Sequence, residues 1–170
     1  VRLVVGDHAV TTDAFGRHTA WDLVPFEPVE IWADSTFIED PTLVPTRNAV
    51  RVTVPPASFR RVNVPVSPSS EITGTVLLVD GEGSSPLAYA RLELFDIETG
   101  AVRPIRAFSD GEFYEAGVRP GRYRLRLVPD YLDQTGLVAE GEPVPLDVVA
   151  GSDGHGVDPV VLRVRHRRPR

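Results

Sequence analysis

Apolar and polar residues alternate along most of this chain. Val50, Val52 and Val54 flank Arg51 and Thr53, and Tyr123, Leu125 and Leu127 flank Arg124 and Arg126. A period of two sends successive side chains to opposite faces, as a half-buried strand requires. Helical periodicity is nearly absent. The pattern predicts strands in the first half at 2–5, 17–24, 28–33, 48–54 and 58–66. In the second half it predicts them at 72–79, 90–97, 102–108, 112–118, 122–128, 144–149 and 159–165. Short strands separated by Gly, Pro, Asp and Asn point to an all-β fold. The expected architecture is two small β-sandwich lobes, the second with about seven strands.

The turns follow from residue chemistry. Asp110-Gly111 between apolar runs predicts a tight hairpin, because both residues tolerate positive φ. Pro120-Gly121 fits a type II turn, and Glu98-Thr99-Gly100 closes the hairpin before it. The Ser- and Pro-rich segment PVSPSSE, 65–71, reads as a linker. Domains are therefore expected at 1–69 and 70–170, the second ending in a basic tail. The first is small for an independent core.

Composition narrows the function classes. Sixteen prolines and fourteen glycines suit a turn-rich β protein better than a helical one. A net charge of -6 disfavours nucleic acid as the main partner. All eighteen basic residues are arginine. With no cysteine, disulfides, Cys-ligated zinc and thiol catalysis are excluded. No apolar run reaches the roughly 18 residues of a membrane span. The chain begins at Val1, which fits a mature form or a piece of a longer protein.

Candidate chemistry is sparse. His8, His18, His155 and His166 show no spacing that puts two metal ligands on one element. The segment GSDGHGVD, 151–158, offers Asp153, His155 and Asp158 but too few oxygens for calcium. It reads as a glycine-rich connection, and no metal or cofactor is assigned. No G-x-S-x-G is present, and Glu112 and Glu115 fall on opposite faces of one strand. No catalytic residue is assigned, and a non-enzymatic protein is expected. Trp21, Phe26 and Trp32 read as core residues, with a sugar-stacking platform as the alternative. Two long connections, 34–46 and 129–143, are the functional candidates. Phe37, Ile38, Tyr131 and Leu132 are their expected partner contacts, unless these loops pack back and seal the domains to each other.

Two resemblances add to this reading. The stretches GTV (74–76), PLAYARLELFDIETG (86–100) and FSDGEFYEAGVRPGRYRLRL (108–127) resemble transthyretin-like modules. Those include the regulatory domain beside metallocarboxypeptidases and the repeat of Gram-positive surface adhesins. Residues 12–52 look like the C-terminal periplasmic region of outer-membrane ushers: Asp13 and Gly16, Pro25-Phe26, Ile31, Asp34, Val44-Pro45 and Asn48-Ala49 carry the likeness. The resemblances imply a binding or assembly module of the bacterial cell envelope, periplasmic or outer-membrane-associated. Its partner would be a chaperone–subunit complex or the rest of a larger envelope protein. The mechanism would be docking on apolar loop residues or strand addition to an open edge. The alternatives are an adhesin-stalk spacer and a carbohydrate-binding accessory domain of a secreted hydrolase.

Overall fold

A computed structural model of the chain describes residues 1–40, 42–81, 83–149 and 157–167. The chain is all-β and divides into two compact units, Val1–Pro68 and Ser69–Arg170. No helix among the described residues is long and apolar enough to cross a membrane.

The first unit is built on an antiparallel sheet of β1 (Arg2–Val5), β2 (His8–Thr11), β3 (Pro28–Ala33) and β5 (Val50–Thr53), in the order β2-β1-β3-β5. The short strands β4 (Leu43–Pro45) and β6 (Val66–Pro68) pair separately. Register places Leu3 opposite Val10 and Ala33, Val5 opposite Ile31, and Ile31 opposite Val50. One sheet face is therefore apolar. Its cover is incomplete: with Ile38, only Val5, Ala33 and Val52 are buried, and the other apolar residues of that face remain half-exposed.

Two expected strands of this unit do not form. Residues 17–24 and 58–65 have no regular structure. Asp13 instead draws the chain into a turn, its carboxylate accepting from the amides of Phe15 and Arg17. Ser58 closes another turn by donating to the carbonyl of Pro55 at 2.7 Å. Such local side-chain bonds compete with a ladder. The aromatics expected in the core are at the surface: Trp21 is 68% exposed, and Phe26 and Trp32 are also exposed.

The second unit packs two sheets face to face. One comprises β9 (Arg91–Asp96), β10 (Val102–Arg106), β12 (Gly121–Leu127) and β14 (Val144–Val148), ordered β10-β9-β12-β14. The other comprises β7 (Ser70–Asp80), β11 (Glu112–Val118), β13 (Leu137–Glu140) and β15 (Val160–His166), ordered β11-β7-β15-β13. The strand β8 (Gly83–Pro86) extends β7 beyond β11, and β7 pairs with β15 in parallel. Between the sheets lie Ile72, Val76, Leu92, Leu94, Phe113, Leu125 and Val164, all nearly or fully buried. The alternation in GRYRLRL is realised: Tyr123, Leu125 and Leu127 are buried while Arg122, Arg124 and Arg126 face solvent.

The turn chemistry works differently from expectation. Asp110-Gly111 does not join a hairpin. It carries the chain from β10 in one sheet to β11 in the other. Gly111 takes φ +78, and an added Cβ would meet the Pro86 side chain and the Val76 carbonyl at 2.9 Å. Pro120-Gly121 is likewise a sheet-to-sheet crossing, and Gly121 does not take the left-handed φ of a type II turn. The connection 129–143 is not an open loop. It holds a helix, α1 (Pro129–Thr135), then β13. Pro129 sits at the helix start, where no amide is needed, and Gly136 ends it in the left-handed region at φ 66.

Asp96 ties these pieces together. It is 7% exposed, accepts from the amides of Glu98 and Thr99, and pairs with Arg119. The Tyr123 hydroxyl donates to the Arg119 carbonyl at 3.0 Å. Burial alone raises the Asp96 carboxyl, but the Arg119 pair and the Thr99 and Glu98 bonds outweigh it, so its pKa falls below the ordinary 3.8. A carboxylate with a depressed folded pKa stabilises the fold above its unfolded value and loses that contribution as pH falls through the folded one. Stability of the second unit is therefore expected to decline below about pH 4, and Asp96→Asn to flatten that decline in acid unfolding curves.

Candidate functional site

The second unit has an open side. There β13 and β14, the outer strands of the two sheets, are joined by residues 141–143. Because β14 pairs with β12 only over Gly121–Leu125, Arg126 and Leu127 run on past its end. The gap left by this mismatch is an apolar notch of about 170 Å³. Leu125, Leu127, Leu132, Ala139 and Leu162 line it, with Pro143 at one side. Arg126, Glu140, Glu142 and Arg163 stand around it. Arg126 is engaged by Glu93 at 2.5 Å, and Glu140 lies 3.9 Å from Arg165. Glu142 and Arg163 have no ion pair among the described residues.

The four expected contact residues fare differently. Leu132 forms part of the notch wall. Tyr131, next to it on α1, packs half-buried against the core, and burial pushes its phenol pKa up despite Arg91 nearby. Ile38 is buried in the first unit, because it follows a 3-10 turn (Ser35–Phe37) that folds its side chain inward, and so offers nothing to a partner. Phe37 is exposed, with the Arg2 guanidinium 4.5 Å from its ring centre. The notch residues on β12, β13 and β15 escaped notice in the sequence, since they read as ordinary core positions. The one available signal was the excess length of β12 over β14.

Strand edges are protected unevenly. Pro104 lies inside β10 and Pro145 inside β14, the two outer strands of one sheet. Proline lacks the amide that an added strand would need. The outer strands β2 and β5 of the first unit contain no proline.

Among the described residues, no group of three His, Asp or Glu side chains is placed to hold a metal. Of the GSDGHGVD segment, Asp153 and His155 lie outside the described residues. Glu115 is bound to Arg103 at 3.0 Å, and the Tyr114 hydroxyl donates to Glu71 at 2.6 Å, which raises the Tyr114 pKa. Those bonds hold strands together.

No family model matches the chain, and no curated protein matches it. Solved structures do. The chain is similar to GBS52, a minor pilin of Streptococcus agalactiae, with 16% identity, a TM-score of 0.53, and 96% of this chain and 69% of that one covered. A streptococcal ancillary pilin aligns at 19% identity and TM-score 0.44, over 86% of this chain and 44% of its own. A DUF3823 family protein from Parabacteroides merdae aligns at 23% identity and TM-score 0.40, over 58% and 46%. The likeness to GBS52 is one of fold.

Proposed function

We propose that the chain is a non-catalytic assembly module of the bacterial cell envelope that holds a protein partner in the notch of its second unit. The notch carries this reading. It is an apolar recess between two sheet edges with charge of both signs around it, which is how protein partners anchor a side chain. The fold likeness to a minor pilin supports a place in a surface fibre or stalk over the usher-like role, in which a chaperone–subunit complex would be the partner. The transthyretin-like resemblance of residues 72–165 fits the stalk reading as well.

The test is capture of proteins from the envelope of the source organism, identified by mass spectrometry. Leu132→Arg places a charge in the notch wall, and Glu142→Arg reverses an exposed charge beside it without touching the core. Both are expected to lose a partner that the parent retains, by about tenfold or more in recovery. Equal recovery by Glu142→Arg and by a Leu132→Arg protein with native circular dichroism would reject the notch as the contact.

A further inference from the structure

The first unit carries an aromatic knob. Phe59 is 82% exposed, although its ring meets that of Trp21 edge-on at 5.7 Å and 87°. The segments bearing these rings are shaped for display. Asp22 and Ala57 both take left-handed backbone, at φ 59 and φ 50. Asp tolerates that conformation, but alanine takes it only where the surroundings hold it. The Ser58 hydroxyl fixes the turn just before Phe59. Two rings braced against each other yet left in water are an unsatisfied apolar surface.

We infer that the knob of one copy seats in the notch of another, so that the chain associates with itself head to tail. Size and charge both fit. A cavity of about 150 Å³ lined by aliphatic residues accepts a benzene ring, and the notch measures about 170 Å³. Arg60 and Arg61 follow Phe59 directly, and Asp22 follows Trp21. The notch offers the opposite signs in Glu140 and Glu142 against the arginines, and in Arg163 against Asp22. A contact between unlike surfaces is heterologous: it leaves a free knob and a free notch at the ends, and so builds an open chain or a closed ring. This deepens the assembly reading above by naming its partner as a second copy, and it rests on that reading.

Sedimentation velocity tests it, with loading up to about 1 mM so that millimolar dissociation constants register. The average mass of the parent is expected to rise with concentration above the monomer's 18.6 kDa. Phe59→Ala and Glu142→Arg are each expected to weaken association about tenfold. Phe59 is exposed, so its truncation leaves the melting curve unchanged. The decisive arm mixes the two variants. Phe59→Ala keeps an intact notch and Glu142→Arg an intact knob, so the mixture forms a one-to-one complex about tenfold tighter than either variant's self-association. A parent that stays monomeric throughout, association unaffected by either variant, or a mixture without the complex overturns the inference. If the parent is monomeric while Glu142→Arg still loses an envelope partner, the self-contact falls and the assembly reading stands.

Discussion

Gly74→Ala will be the most damaging single-methyl change in the second unit. Gly74 lies in β7, opposite Phe113 of β11 on one side and Val160 of β15 on the other. A Cβ there would come within 2.0 Å of the Val160 carbonyl oxygen and 2.5 Å of the Phe113 ring. The ring is 2% exposed and cannot swing into solvent without opening the core. Overpacking of this kind costs about 1–3 kcal/mol, and a backbone obstacle puts this case at the upper end or above it. Urea unfolding followed by circular dichroism should show the midpoint falling. Adding Phe113→Leu to Gly74→Ala should recover only part of the loss, because the Val160 carbonyl stays in place. A Gly74→Ala protein with the parent's midpoint would show that the β15–β7–β11 spacing is wrong.

The second large effect belongs to Asp96. Asp96→Ala removes the anion that pairs with Arg119 and the acceptor for the Glu98 and Thr99 amides. Taking the acceptor out of this partly buried cluster costs about 1–3 kcal/mol, since the Glu98 and Thr99 amides lose their hydrogen bonds. Asp96→Asn keeps an acceptor for the turn and loses the charge, so it should fall between the parent and Asp96→Ala. Equal stability of all three at pH 7 would reduce the cluster to a solvated ion pair, worth about 1 kcal/mol or less.

These residues also show what could be read before the structure. PVEIWA became β3 over the predicted residues, and GRYRLRL kept its alternation. In both, apolar alternation coincides with a ladder on each side, so local pattern and tertiary context agree. In RHTAWDLV the alternation is present but Asp13 binds the backbone ahead of it, and no neighbouring strand completes a ladder. Asp110-Gly111 announced a turn correctly and its pairing wrongly, whereas Pro120-Gly121 crosses between the sheets without the φ of the expected type II turn. A turn residue reports local φ, not which sheet receives the next strand. The helix carried both of its end signals, Pro129 and Gly136, but seven residues are too few to show a 3.6-residue period.

The candidate site was legible only in part for a related reason. Leu132 stood out because it lies in a long connection. The other notch residues look like core from sequence, and the recess exists because one strand outruns its neighbour. Aromatic residues misled in the other direction. Trp21, Phe26 and Trp32 read as core by type, and the first unit leaves all three exposed.

The claim that the notch takes a protein is tested most directly by photocrosslinking in the native envelope. A benzophenone amino acid would replace Glu142, beside the notch, and Arg124, exposed in the middle of β12, as a control. The expected result is a covalent protein adduct from position 142, absent from position 124, and lost when Leu132→Arg is added. No adduct at 142, or equal adducts at both positions, would contradict it.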